Sequence, residues 1–137
     1  MTKLVIFDLD DTLIHEGFDE KKPRLCAETQ NVLDYLLEKG YTLAIASHNR
    51  RALEILKKIQ LHEHFSVICG YVPDCVTKNP HIDEILGALP GVFSRTSIVL
   101  FDDLQSNVSA AKEHGIEARL VNWKTGVTLA DVQGAGL

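Results

Sequence analysis

The chain has 137 residues, the size of one compact domain with its own hydrophobic core. Hydrophobic residues make up 45% and charged residues 24%, ordinary values that exclude a disordered or fibrous chain. Lys and Arg number 14 against 19 Asp and Glu, and the net charge of −5 lacks the basic footprint of a nucleic-acid binder.

The opening MTKLVIFDLDD meets acidic residues after five apolar side chains. It reads neither as a signal peptide nor as a membrane span, and the chain is expected to be soluble and cytoplasmic, a single domain over residues 1–137. Cys26, Cys69 and Cys75 are odd in number and lack CxxC spacing, so reduced thiols are expected rather than a disulfide framework or a zinc knuckle.

In chain order, Leu4 to Phe7 (LVIF) is a short run of the kind found in strands buried on both faces. A helix is predicted from Leu25 to Lys39, with Val32, Leu33, Leu36 and Leu37 at helical spacing and Gly40 as its stop. Tyr41 to Ala46 reads as a second strand, Arg51 to Ile59 as a helix, Phe65 to Cys69 as a third strand and Ile82 to Leu89 as a helix. Ser97 to Phe101 and Ala118 to Val121 are two further strands, with a helix from Asn107 to His114 between them, closed by Gly115. Strands alternating with helices imply a parallel sheet with helices on both faces, a three-layer Rossmann-like α/β fold.

In such a sheet the functional groups gather beyond the carboxyl ends of the strands. Asp8, Asp10, Asp11 and Thr12 follow the first strand, Ser47, His48 and Asn49 the second, Lys78 the third, and Asp102, Asp103 and then Asn107 the fourth. Alternation along an extended segment places Asp8 and Asp10 on one side, so at least three carboxylates converge on one rim. Carboxylates that close repel one another unless a cation joins them, and an all-oxygen donor set suits Mg²⁺. A metal, a lysine, a hydroxyl and helix amino termini together favour a phosphate ester as substrate.

These residues resemble the haloacid dehalogenase superfamily of aspartate-nucleophile phosphatases. FDLDDTL from Phe7 to Leu13, the serine of IASHN at Ser47, Lys78, and VLFDD with Asn107 following match its four motifs in order, each after a predicted strand. The resemblance extends from Leu4 to about Val121. Members of the superfamily usually take specificity from an inserted cap domain. Here Asp10 to Ser47 already contains the first helix, and Ser47 to Lys78 contains a helix and a strand, so no space for a cap remains. The chain is most similar to the capless magnesium-dependent phosphatases, which act on phosphotyrosine-like and sugar phosphates. It departs from them in having His48 where they usually carry Arg, and in a shorter loop after the first motif.

The resemblance implies that Asp8 is the nucleophile and Asp10 the acid and base. Asp102 and Asp103 are both candidate Mg²⁺ ligands, and alignment with the family pattern points to Asp103. Asp8 would then ligate by its side chain and Asp10 by its backbone carbonyl, while Asp102 and Asn107 orient the ligands and Lys78. Ser47 and Lys78 are implied to bind the substrate phosphate; by its place on the rim, rather than by the resemblance, His48 is read as a further phosphate contact, and Thr12 as support for the loop rather than a site hydroxyl. Asp11 reads as an exposed turn acid, His48 alternatively as an exposed histidine beside Asn49, and His62 and His64 as a solvated turn. Tyr71 and Trp123 would either line the substrate mouth or pack.

The expected reaction is Mg²⁺-dependent hydrolysis of a phosphorylated small molecule or phosphoprotein. Two alternatives stay open: the same chemistry on a nucleic-acid 3′-phosphate, which the acidic charge disfavours, and a non-catalytic module that recognises a phosphorylated partner. The presence of Asp8, Asp10, Ser47, Lys78 and Asp103 together disfavours the latter.

Overall fold

The computed structural model describes residues 1–16, 22–91 and 93–137. The abbreviated loop after the first motif lies partly outside these residues. The strands are β1 (Leu4–Phe7), β2 (Thr42–Ala46), β3 (Val67–Cys69), β4 (Ile98–Asp102) and β5 (Glu117–Leu120). The helices are α1 (Thr29–Glu38), α2 (Ala52–Lys58), α3 (Asn79–Ala88), α4 (Gln105–Glu113) and α5 (Leu129–Gly134). Among the described residues the strands of the sheet all pair in parallel, in the order β3-β2-β1-β4-β5.

Strand side chains alternate between two cores, as a period of two requires. Val5 and Phe7 of β1 face one cluster with Val32, Leu33 and Leu36 of α1, Ile55 of α2 and Val132 of α5. Leu4 and Ile6 face the other, with Ile82 and Ile85 of α3 and Val108 and Ala111 of α4. The sheet is therefore covered on both faces, in three layers, and Phe7 stacks on Phe101 of the neighbouring strand at 5.6 Å between centroids. Burying each such Leu, Ile or Phe contributes about 1.5–3 kcal/mol.

Several boundaries differ from the sequence reading for local reasons. The first helix begins at Thr29 rather than Leu25, because Leu25 bridges antiparallel to Ile14 and Thr29 Oγ1 donates to the Leu13 carbonyl at 2.7 Å. That segment is tied to the loop after β1 instead of coiling. The helix ends as expected at Gly40, whose φ of 85° suits a left-handed cap. Helix α3 starts earlier than Ile82, at Asn79, since Pro80 sits in its first turn, where a missing N–H costs nothing. β5 is not buried on both faces: it pairs with β4 alone, and Leu120 is 52% exposed. Helix α5 was not anticipated. It is short, but Thr128 and Asp131 close a reciprocal capping box at its start.

The chain after β5 braces the loop after β1. Val127 N donates to the Thr12 carbonyl at 2.8 Å, and Gly126, at φ 71°, lies so near Cys26 and Thr12 that a Cβ there would collide with both. Tyr35 Oη donates to the Leu137 carbonyl at 2.9 Å, and Leu129 N to Glu28 Oε1 at 3.1 Å, which fastens the tail to α1 and its approach. Among the described residues no further domain is inserted between β1 and β2 or between β2 and β3, and no helix is long and apolar enough to cross a membrane.

Candidate active site

The strand order reverses direction at β1 and β4, one leading outward to β2 and β3 and the other to β5. A crevice opens beyond the carboxyl ends at such a switch point. Asp8 stands at the end of β1, its N–H held by the Phe101 carbonyl of β4 at 3.0 Å, and Asp102 ends β4 itself.

After Asp8 the chain does not stay extended. Leu9 drops into the core, its carbonyl accepts from the N–H groups of Thr12, Leu13 and Ile14, and Asp11 takes a left-handed φ of 60°. The turn returns Thr12 to Asp8: the buried Thr12 Oγ1 donates to Asp8 Oδ2 at 3.1 Å. Asp8 Oδ1 accepts from Lys78 Nζ at 2.9 Å, so both oxygens of this carboxylate are held. Thr12 thus braces the carboxylate itself as well as the loop. Asp11 lies in the turn as expected, though half-buried rather than exposed, and its Oδ1 accepts the Glu16 N–H at 2.9 Å.

Lys78 caps the start of α3 and is 1% exposed, an unusual place for an ammonium group. It also donates to the Ala46 carbonyl at 2.6 Å and to Asp102 Oδ2 at 3.4 Å. Burial pulls its pKa down, but the charges of Asp8 and Asp102 together outweigh burial and leave it above the ordinary lysine value. Asp102, wholly buried, spends both oxygens on the protein: Oδ1 accepts Leu104 N at 3.0 Å, and Oδ2 accepts Asn107 Nδ2 at 3.1 Å as well as Lys78.

Asp103 differs. It is partly buried, and desolvation first, then the contact with the Asp8 carboxyl and the charges of Asp8 and Asp102, push its pKa up to about 8. One oxygen from each of Asp8, Asp102 and Asp103 lies within 4.8 Å of the others, a set that could hold a metal ion. Asp10 has its pKa raised mainly by burial, against the Asn49 Nδ2 hydrogen bond to its Oδ2 at 3.3 Å.

These groups surround a cavity of about 160 Å³, lined by Asp8, Asp10, Glu16, His48, Lys78, Asp103, Leu104 and Asn107. Its volume is below the roughly 300 Å³ at which pockets begin to engulf a drug-sized ligand, and suits a phosphoryl group whose ester extends outward. Among the described residues, Ser47 does not line it: the serine is 1% exposed and its Oγ accepts Asn49 N at 3.0 Å. His48 lines the cavity but is not the exposed histidine that was one alternative. Its Nε2 is buried without a partner, its ring stands edge-on to His81 at 4.8 Å, and burial, helped by Lys78, lowers its pKa.

Glu16 and His81 were not singled out from the sequence, and Asn49 was placed on the rim without a role. Asn49 lies two residues beyond Ser47, and its Oδ1 also accepts Arg51 N at 2.8 Å, which turns the chain into α2. His81, one turn beyond Lys78 on α3, is wholly buried and donates from Nε2 to the Ser47 carbonyl at 2.9 Å. His62 and His64 form a short 3₁₀ turn; they are only partly exposed, and neither belongs to a group of possible metal ligands among the described residues. Tyr71 and Trp123 are 43% and 57% exposed and neither packs in the core nor lines this cavity; Arg50 lies 4.0 Å over the Tyr71 ring. Cys26 and Cys69 are buried free thiols, their pKa values pushed by burial up to about 11 and about 12.

A parallel-sheet α/β protein with carboxylates and a buried lysine at its switch point is the class that fold and site define. In sequence, the profile of the haloacid dehalogenase-like hydrolases matches residues 14–121, and the chain belongs to that family. Among curated proteins none matches it in sequence. Among solved structures it is similar to a protein of Clostridium difficile named as a candidate phosphatase, with 17% identity, TM-score 0.77, and 98% of this chain and 91% of that one covered. It is also similar to the haloacid dehalogenase-like family protein SP0104 of Streptococcus pneumoniae, at 17% identity, TM-score 0.75, and 97% and 90% coverage. A third likeness is the N-terminal part of BF1531 of Bacteroides fragilis, a phosphatase domain complexed with Mg, at 18% identity, TM-score 0.73, 96% of this chain and 39% of that one.

Proposed function

We propose that this chain hydrolyses phosphate monoesters with Mg²⁺, through a phosphoryl group carried on Asp8. The observation that carries the reading is the Asp8 carboxylate itself, clamped by Thr12 on one oxygen and Lys78 on the other, in the lining of a phosphoryl-sized cavity that Asp10 also lines.

The donor set fits Mg²⁺. It is all oxygen, and burial, together with the neighbouring Asp8 carboxyl, makes the Asp103 carboxyl favour its proton in the absence of a cation. Asp8 and Asp103 side chains would hold the ion, with the Asp10 backbone carbonyl, while Asp102, committed to Lys78, Asn107 and Leu104, orients the surroundings. When bound, Mg²⁺ supplies positive charge to the phosphoryl oxygens and relieves repulsion among the carboxylates.

An Asp8 oxygen attacks phosphorus, the Asp8–phosphorus bond forms and the ester P–O bond breaks. Asp10, whose burial favours the protonated form, gives its proton to the departing alcohol oxygen. Asp10 then takes a proton from water, the water oxygen bonds to phosphorus, and the Asp8–phosphorus bond breaks to release inorganic phosphate. Throughout, Lys78 offsets charge on Asp8, and the His48 backbone amide, next after Ser47, holds a phosphoryl oxygen, the Asn49 amide being already committed to Ser47 Oγ. His48, neutral through burial, adds shape to the wall rather than charge.

The cavity takes the phosphoryl group and leaves the ester portion outside, which supports an open site for phosphotyrosine-like or sugar phosphates, free or on a protein. Phosphate release from p-nitrophenyl phosphate, then from a panel of sugar phosphates, phosphopeptides and a 3′-phosphorylated oligonucleotide, tests the reading. Hydrolysis in Mg²⁺ that stops in chelator is expected. Hydrolysis that persists in chelator, or in Asp8→Asn, overturns it.

A further inference from the structure

Behind the wall of the acidic cavity stands a second cluster with a different donor chemistry. His48 follows β2, Cys75 lies in the loop between β3 and α3, and His81 is on α3; one potential ligand atom from each lies within 4.8 Å of the other two. The His81 proton is placed by its neighbour. The Ser47 carbonyl can only accept, so Nε2 carries the hydrogen, and Nδ1 is left with its lone pair, buried and without a partner. His48 Nε2 is likewise buried and unpartnered, and the two rings stand nearly perpendicular, at 89°. Cys75 is partly exposed, and its Sγ meets the Val72 carbonyl at 3.0 Å.

Two buried imidazole nitrogens without hydrogen bonds have lost water and gained no partner in exchange. A ligating histidine commonly gives its other N–H to a backbone carbonyl, which fixes ring and tautomer. His81 has that arrangement on the Ser47 carbonyl. Two imidazoles and a thiolate suit a borderline-soft divalent ion, whereas the carboxylates of the Asp8 centre suit a hard one.

We propose that His48, Cys75 and His81 form a transition-metal site, with zinc the ion its donors favour, separate in its ligands from the Asp8–Asp103 centre. Binding removes the Cys75 thiol proton to solvent and leaves the fourth position to water. The ion ties together the loop after β2, the β3–α3 loop and the first turn of α3, the segments that carry Ser47 and Lys78. It is a clamp behind the phosphoryl cavity.

The test is a titration of the metal-free full-length protein with Co²⁺, as a spectroscopic stand-in for zinc, in excess Mg²⁺ so that the carboxylate centre is occupied. One equivalent is expected to produce a thiolate-to-cobalt charge-transfer band and tetrahedral visible bands, both displaced by zinc, with a rise in melting temperature. Cys75→Ser, checked for fold by circular dichroism, loses the charge-transfer band and the thermal shift, while Cys26→Ser and Cys69→Ser keep both. His48→Ala weakens binding by more than about tenfold, the smaller end of what loss of a mere outer partner costs. No binding in excess Mg²⁺, a spectrum without the thiolate band, or an unchanged titration in Cys75→Ser overturns the proposal.

Discussion

Replacing Lys78 with methionine keeps the unbranched apolar stem of the side chain and removes its ammonium group and charge. In the wild type, Nζ satisfies Asp8 at 2.9 Å, Asp102 at 3.4 Å and the Ala46 carbonyl at 2.6 Å, and the lysine is 1% exposed. Breaking a buried pair by deleting one partner costs about 3–5 kcal/mol, because the remaining charge stays buried without compensation. Here two carboxylates and one carbonyl are left, so the upper half of that range applies at neutral pH without metal. For a domain of this size it corresponds to a fall in Tm of about 10–20 °C. Urea unfolding at neutral pH, followed by circular dichroism, gives the loss directly. If unbalanced charge is the cause, Lys78→Met/Asp102→Asn recovers about 1–3 kcal/mol over Lys78→Met alone, and acid narrows the deficit as the carboxyls protonate. A loss under about 1 kcal/mol, the range of an exposed ion pair, refutes the argument. So does a double variant whose losses simply add.

Three other outcomes follow from the same geometry. Asp103 holds its proton up to about 8 in the folded chain against an ordinary 3.8, so its stabilising protonation is complete below the lower value and is lost as pH rises through the upper one. In chelator, Tm should therefore fall between those limits, and Mg²⁺ or Asp103→Asn should flatten the slope; a chelated wild type whose Tm is level across the window contradicts this. Asp10→Asn removes the proton donor, and kcat/KM should fall by about 10²–10⁴ for an alkyl phosphate but much less for p-nitrophenyl phosphate, whose leaving group needs little protonation. Equal losses on the two substrates would assign Asp10 another role. Gly126→Ala forces a Cβ into Cys26 and the Thr12 carbonyl at a left-handed φ, and should destabilise the fold by about 2–4 kcal/mol in thermal melts.

Most of the architecture was legible because the local signals and the tertiary solution agree. Leu4 to Phe7 reads as a fully buried strand, and it occupies the centre of the sheet with each side chain at 0% exposure. The polar residues after each strand mark the rim because parallel strands all end on one side. Failures arose where tertiary ties override periodicity. Leu25 fits a helical stripe, yet its bridge to Ile14 holds it out of α1. Ala118 to Val121 looks like a core strand, but its place at the sheet edge exposes Leu120, a matter of strand order that no local pattern records. The Thr128–Asp131 spacing was a readable capping box, hidden by the shortness of α5.

At the site, residue types revealed the acids and the lysine, but not their division of labour. Asp102 and Asp103 are indistinguishable as neighbours in sequence. The difference lies in α4, whose start brings Leu104 N and Asn107 to Asp102 and leaves Asp103 to face Asp8. The pairing of His48 with His81 depends on α3 packing beneath the β2 loop, and those two positions are distant along the chain.

The central claim is that Asp8 accepts the phosphoryl group, and trapping of beryllofluoride tests it most directly. With Mg²⁺ present, ¹⁹F NMR of the wild-type protein should show a bound beryllofluoride species that chelator removes and that Asp8→Asn never forms. An Asp8→Asn protein that still binds beryllofluoride and still releases phosphate would contradict the account.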